Sequence, residues 1–252
     1  MAEFDGKVAV ITGAARGMGE AHARLLASRG ATVVVQDILG ELAGKTAASI
    51  REAGGKAEAM ACDITDIPVL KERLLDAERR LGSIDILINN AGIGSEETIE
   101  HIDEKQFDRM FAVHVKGAFF ATQAVVPGMK ARRRGKIINI SSIWGMVAHP
   151  YASDYCAAKA ALLGLTKAWA KEFAPWNIHV NAIAPGGVIT EMVLSQPDVE
   201  KRMADKVKRV PLGRYADPGE ISHSVAFLAS SESDFITGQL ISPNGGETIV
   251  GI

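Results

Sequence analysis

Lys7-Val8-Ala9-Val10-Ile11-Thr12-Gly13-Ala14-Ala15-Arg16-Gly17-Met18-Gly19 is the stretch that decides the architecture of this chain. Lys7–Ile11 is a short β-branched run of strand type, and Met18–Arg29 carries helical apolar spacing that closes on Gly30. The turn between them holds Gly13, Gly17 and Gly19 in a Gly-x-x-x-Gly-x-Gly spacing, with Arg16 and Met18 among them. Glycines between a strand and a helix let the backbone turn tightly and approach a pyrophosphate, whose charge then faces the helix N-terminus. This spacing differs from the usual Gly-x-Gly-x-x-Gly fingerprint, and alone it could mark an ordinary tight connection. At the head of a strand–helix series it points to nucleotide binding.

The same rhythm repeats along the chain. Further strands are expected at Thr32–Gln36, Ala57–Cys62, Ile84–Asn89, Lys136–Ser141, His179–Ile183 and Gln239–Ser242. Helices are expected at Gly40–Ala53, Val69–Leu81, about 104–130, Tyr155–Ala174 and Pro218–Ala229. Ile84–Asn89 is almost wholly apolar, as a strand covered on both faces should be. Such alternation implies an α/β fold: a parallel sheet, right-handed crossovers and helices on both sides. With no linker, low-complexity segment or fixed-period repeat, residues 1–252 are expected to form one domain.

Composition excludes several classes. Hydrophobic residues make up 47% and charged residues 23%, the balance of an ordinary globular protein. A net charge of −2 gives no general attraction for nucleic acid or an anionic membrane. Lys130, Arg132, Arg133, Arg134 and Lys136 form a basic run just before a strand, which reads as a solvated turn. Cys62 and Cys156 lie far apart among apolar neighbours, as buried thiols in a reducing compartment would. The N-terminal residues lack the basic-then-apolar order of a signal peptide, and no apolar run reaches bilayer length, so a cytoplasmic location is expected.

Two features carry chemistry. Asp37, with Ile38 beside it, ends the second strand where a carboxylate can accept hydrogen bonds from ribose hydroxyls. That carboxylate would repel a 2′-phosphate and so favours NAD over NADP; Arg16 pulls the other way, because a guanidinium in the glycine turn can contact the phosphate. Further on, Tyr155 precedes Lys159 by one helical turn, and Ser142 lies a short loop upstream. A free tyrosine, with a pKa of about 10, is a poor base at pH 7. Residues four apart share a helix face, so the Lys159 ammonium is expected beside the phenol, lowering its pKa well below the usual value. Ser142 can then donate a hydrogen bond to a substrate oxygen.

Together these residues resemble the short-chain dehydrogenase/reductase family along nearly the whole chain. Asn89-Asn90-Ala91-Gly92, Cys62-Asp63-Ile64, Asn181 through Pro185-Gly186-Gly187-Val188-Ile189-Thr190, Pro211-Leu212-Gly213-Arg214-Tyr215 and Phe235-Ile236-Thr237-Gly238-Gln239 match further family patterns in order. The resemblance implies a single Rossmann-type doubly wound domain with a seven-stranded parallel sheet and hydride transfer between nicotinamide and an alcohol or ketone carbon. It makes Tyr155 the general acid/base and Ser142 the residue that polarises the substrate oxygen. Lys159 would hold the nicotinamide ribose as well as tune the phenol. Asp63 and Ile64 would meet the adenine, Asn90, Ala91 and Gly92 would line the cofactor, and the loop through Pro185, Gly186, Val188 and Thr190 would hold its nicotinamide side.

One departure stands out. Where the family has an asparagine that bends the central helix and orders a relay water, the matching run is Val113-His114-Val115-Lys116-Gly117. An imidazole also bonds water but titrates near neutrality, so a relay role and a structural role for His114 both stand. The remaining histidines have no metal-ligand spacing, and no metal is expected.

Ile93, Gly94, Trp144, Met146, His149, Pro150 and Tyr151 flank the catalytic segments and are expected to face a moderately apolar ketone or secondary alcohol, with a polar end near His149. Residues 191–211 are expected to form a lid with Met192, Val193 and Leu194 inward. The apolar members of both sets could equally be core. In relatives the helix at 104–130 and the Tyr155 helix pair with a neighbouring subunit, so the resemblance implies a homotetramer, or failing that a dimer. Two other readings stand beside an NAD-dependent dehydrogenase. One is an NADPH-dependent 3-oxoacyl reductase for carrier-bound chains, opposed by Asp37 and the cation-free Pro175-Trp176-Asn177 but favoured by Arg132–Arg134. The other is a non-catalytic nucleotide sensor, opposed by the intact Ser142, Tyr155 and Lys159.

Overall fold

Alternate side chains of the central strands leave the sheet on opposite faces, and both faces are covered. In β1 (Val8–Thr12), Ala9 and Ile11 enter one apolar cluster while Val8 and Val10 enter the other. A computed structural model describes residues 2–94, 96–195 and 198–250. From β1 the chain runs through α1 (Gly17–Ser28), β2 (Thr32–Asp37), α2 (Gly40–Glu52), β3 (Lys56–Ala61), α3 (Ile67–Leu81) and β4 (Ile86–Asn89). It continues through α4 (Glu104–Phe111), α5 (Ala118–Arg132), β5 (Gly135–Ile140), α6 (Trp144–Val147), α7 (Ser153–Phe173) and β6 (Ile178–Ile183). The last elements are α8 (Glu191–Leu194), α9 (Val199–Val207), α10 (Pro218–Ala229) and the two-residue β7 (Leu240–Ile241).

The strands form one seven-stranded parallel sheet in the order β3-β2-β1-β4-β5-β6-β7. This is the Rossmann-type doubly wound arrangement. One face is packed by α1, α2 and α10 through Leu26, Ile50 and Val225; the other by α3, α5 and α7 through Leu74, Val125 and Trp169. Strand order reverses at β1 and β4, which opens a crevice beyond their C-terminal ends. No helix among the described residues is long and apolar enough to cross a membrane.

Buried polar groups lock β4, β5 and α7 together on the way to that crevice. Asn89 donates to the Thr122 hydroxyl and to the Asn139 side-chain oxygen Oδ1, and Asn139 donates in turn to Thr166 on α7. Each such bond is worth about 1 kcal/mol net, but an orphaned buried amide would cost more, so the chain of partners also fixes register.

The structure corrects two local expectations. The helix expected over 104–130 is broken: Ala112–Gly117 forms one wide π turn between α4 and α5, centred on His114. The basic run is engaged with the protein rather than only solvated. Arg132 pairs with Glu78 at 2.7 Å, Arg134 with Asp85 at 2.8 Å and Lys136 with Asp234 at 2.7 Å, while Arg133 donates to the Pro175 carbonyl.

His22 on α1 is fully buried against α10, its Nδ1 2.7 Å from the Ser222 hydroxyl, and burial lowers its pKa to about 3. The folded protein therefore refuses a proton that the unfolded chain takes up near pH 6.5. Stability from this site is full above that pH and falls on acidification by about 1.4 kcal/mol per pH unit until the folded pKa is reached. Urea unfolding between pH 7 and 5 should show His22→Gln flattening the decline by the equivalent of one proton.

Candidate active site

The crevice floor is built by one asparagine side chain. Asn90 Nδ2 donates to the carbonyls of Thr12 and Gly13 at 2.9 and 3.0 Å, and the Thr12 hydroxyl receives the N–H groups of Asn90 and Ala91, both at 3.0 Å. These bonds clamp the glycine turn to the end of β4. A Cβ at Gly19 would collide with the Gly13 carbonyl and the Asn90 amide, so only glycine permits the approach. Arg16, the N-cap of α1, makes no side-chain capping bond, which leaves the first-turn N–H groups of a twelve-residue helix facing the crevice.

Asp37 is 8% exposed. It accepts the Ala15 N–H at Oδ2 and the Leu39 N–H at Oδ1, both at 3.0 Å, which holds its carboxylate beside the glycine turn. Gln36, which the sequence reading passed over as a strand residue, accepts from Gly13 N–H and donates to the Cys62 carbonyl at 2.7 Å. Its position next to Asp37 at a strand end was the available signal. Asp63 lies beyond Cys62; burial pushes its carboxyl up, but bonds from Thr65 and the nearby Arg109 outweigh this and hold it below the usual range.

Gly13, Arg16, Gly17, Met18, Gly19, Asp37, Ile38, Asp63, Ile64, Asn90, Ala91, Gly92, Tyr155, Lys159 and Thr190 line one cleft of about 340 Å³. A glycine cradle that a Cβ would fill, an uncapped helix N-terminus and a carboxylate at the end of β2 fit a dinucleotide. Pro185, Gly186 and Val188 line a second cleft of about 340 Å³, which meets the first at Met18, Ser141, Tyr155, Thr190 and Met192.

At that junction α7 presents its catalytic-type side chains. Lys159 Nζ donates to the Ile140 carbonyl at 2.8 Å and sits 5.5 Å from the Tyr155 ring centroid. Ser141 is spent internally, donating to the Lys159 carbonyl at 2.8 Å, whereas Ser142 accepts the Trp144 N–H at 3.2 Å and lines the second cleft together with Tyr155. The expected depression of the phenol is corrected here. Burial pushes Tyr155 up to about 12, only partly opposed by Ser142, and burial lowers Lys159 to about 7. Removal of both groups from water outweighs their proximity.

His114 is 2% exposed. Its Nε2 lies 2.8 Å from the Ile93 carbonyl and 3.1 Å from the Ile93 N–H, so either neutral tautomer has a partner there. Its ring meets Tyr155 edge-on at 5.4 Å. Titration near neutrality is also corrected: burial first, then the Lys159 charge, hold the imidazole well below its ordinary pKa. Nδ1 is buried without a partner among the described atoms. Gly92 leaves room for the ring, since a Cβ there would meet it at 2.5 Å.

Of the residues expected to meet substrate, Gly94, Ser142, Trp144, His149, Met192 and Val193 line the second cleft. Ile93 borders the first. Tyr151 does not reach either: its ring lies behind His149 at 6.1 Å and is 54% exposed. Met146 and Pro150 line neither cleft, and Leu194, expected inward, points to solvent at 52% exposure. The sequence reading missed Arg202, Met203, Lys206 and Arg209, which reach the second cleft from α9 and its end; only the helical spacing of Arg202 and Lys206 hinted at a shared face.

Comparison with known proteins agrees with this geometry. A family model described as enoyl-(acyl carrier protein) reductase matches residues 13–248. The 3-oxoacyl-[acyl-carrier-protein] reductase FabG of Thermotoga maritima is 41% identical over 246 residues, covering 98% of this chain and 99% of that protein. The trans-4-hydroxycyclohexanecarboxylate dehydrogenase of Sinomonas cyclohexanicum is 41% identical over 248 residues, covering 96% and 93%. The crystal structure of a gluconate 5-dehydrogenase from Burkholderia cenocepacia, in complex with NADP and tartrate, has a TM-score of 0.92 at 36% identity, covering 96% of this chain and 95% of that one.

Gly19→Ala should overpack the turn by about 1–3 kcal/mol and weaken dinucleotide binding by about 10-fold or more, measured by fluorescence titration with NADH and NADPH.

Proposed function

Since the chain belongs to the short-chain dehydrogenase/reductase family, we propose that it is an NAD(H)-dependent oxidoreductase of secondary alcohols and ketones with Tyr155 as general acid/base. The meeting of Ser142, Tyr155 and Lys159 at the junction of two clefts carries this reading. The dinucleotide, when bound, accepts or supplies the hydride. Everything else falls to side chains of this chain. Ser142 donates a hydrogen bond to the substrate oxygen. In reduction, Tyr155 gives its phenolic proton to that oxygen as the carbonyl becomes an alcohol; in oxidation it takes the proton back. A phenol held protonated near neutral pH suits the reductive direction directly. Lys159 stabilises the phenolate left behind and, lining the first cleft, would hold the nicotinamide ribose of a dinucleotide.

His114 enters as a positioning residue, with its bare Nδ1 able to hold a relay water behind Tyr155. If it does, His114→Asn shifts the pH–rate profile; an unchanged profile leaves His114 a structural role. Asp37 supports NAD, because a 2′-phosphate would meet a carboxylate already held against the glycine turn. We also propose a homotetramer, supported by the exposed Phe107 and Phe119 on the α4–α5 face.

A second reading has one observation in its favour: Arg16 lines the same cleft, exposed and with no side-chain partner among the described residues, as a phosphate contact for NADP(H) would be. It would suit a 3-oxoacyl reductase. The pairing of Arg132 and Arg134 with Glu78 and Asp85 removes part of the basic surface that a carrier would need.

Tyr155→Phe should lower kcat by about 1,000-fold, followed at 340 nm, while dinucleotide affinity stays within about two-fold. Under the NAD reading, Asp37→Ala raises the ratio of kcat/KM with NADPH to that with NADH by about 10-fold or more. A wild-type enzyme active only with NADPH would reverse the cofactor assignment. Tight dinucleotide binding with no turnover of any alcohol or ketone would favour the sensor.

A further inference from the structure

Lys206 stands on α9, above the second cleft, in a setting unlike that of the other cations there. Arg202, one turn earlier, pairs with Glu96, and Lys208 pairs with Asp205 at 2.7 Å. Lys206 is half-buried, and no carboxylate among the described residues lies within ion-pair range of its ammonium. Its Nζ sits instead 4.4 Å from the centroid of the Trp144 ring. Trp144 stacks on His149 at 4.0 Å and 18°, and meets Tyr155 edge-on at 5.8 Å. The ammonium is therefore one aromatic ring away from the phenol.

The second cleft is lined by Arg202, Lys206 and Arg209 and by Glu96 and Asp205, and the two acids are engaged in ion pairs with Arg202 and Lys208. Arg209, exposed on the same wall, has no side-chain partner among the described residues. Burial lowers the pKa of Lys206; Glu247 opposes that shift from beyond ion-pair range, and Arg202 and Arg209 add to it. His149 is likewise lowered by burial, then by Lys206 and Arg209. A half-buried ammonium without a counter-ion is costly, and a cation–π contact offsets only part of that cost. A ligand that brings a negative charge here removes it.

We propose that the substrate is an anion: a secondary alcohol or ketone carrying a carboxylate a few bonds from the reacting carbon, bound by Lys206 with Arg209 beside it. The carbon body lies along Trp144, and the oxygen to be reduced or formed lies at Ser142 and Tyr155. This assignment rests on the redox reading of that site. A small carboxylate suits the geometry because a single ammonium and one guanidinium share a cleft of about 340 Å³.

The test uses 4-oxopentanoate and 4-oxopentanamide, which differ only at the end away from the ketone. Binding is measured by calorimetry on the enzyme saturated with oxidised NAD or NADP, which cannot reduce the ketone, and turnover with the reduced cofactor at 340 nm. The acid should bind at least about 10-fold more tightly than the amide. Lys206→Gln should erase that preference, and Lys206→Arg should keep most of it. Equal affinity for the two compounds, no measurable binding of either, or a preference untouched by Lys206→Gln overturns the proposal. Acid-selective binding without reduction of either compound would instead overturn the redox reading and leave the anion site standing. Turnover of both at equal kcat/KM would do the reverse.

Discussion

A buried ammonium holds this site together. Lys159 Nζ donates to the Ile140 carbonyl at the end of β5, and the Lys159 carbonyl receives the Ser141 hydroxyl. These two bonds run in opposite senses across the same seam, and they fix both the rotation and the height of α7 against the sheet. Tyr155, one turn earlier on that helix, is thereby placed at the junction of the two clefts. A lysine that had to choose between the carbonyl and the phenol would leave one of them unserved. The 5.5 Å to the Tyr155 ring lets it influence both. The cost is burial, which weakens the ammonium and raises the phenol together.

The π turn serves the same seam from the other side. One extra residue in the turn at Ala112–Gly117 swings the His114 imidazole out of the helix ladder and against Ile93 and the Tyr155 ring. Gly92 supplies the space on the facing loop. Phenol, imidazole and ammonium thus form one packed group, in which the Lys159 charge adds to burial in holding the His114 imidazole neutral.

The two clefts differ in what they offer. One is shaped by backbone: a glycine turn, exposed N–H groups and a single carboxylate, the features suited to an elongated phosphate ligand. The other is shaped by side chains, with an aromatic shelf of Trp144 and His149 under the cations of α9. Backbone sites are general to the architecture, whereas side-chain sites discriminate between ligands. The specificity of this protein therefore lies in a few residues above the sheet.

Short, near-continuous apolar strand runs alternating with 3.6-period helices determined the doubly wound sheet from the residues alone, since strands of that kind must be covered on both faces. The same holds for Gly13, Gly19 and Asp37, whose spacing ties them to the first strand ends, and for Tyr155 and Lys159, which share a helix face by arithmetic. Distance along the chain hid the rest. Lys206 meets Trp144 across some sixty residues, which no local pattern encodes. The π turn at His114 interrupts a run whose spacing predicts continuous helix over 104–130, and it brings the imidazole to Ile93 across the fold. Protonation was decided at the same level: sequence spacing gives the proximity of Lys159 to Tyr155, but only tertiary burial sets how much water each loses, and that loss governs their pKa values.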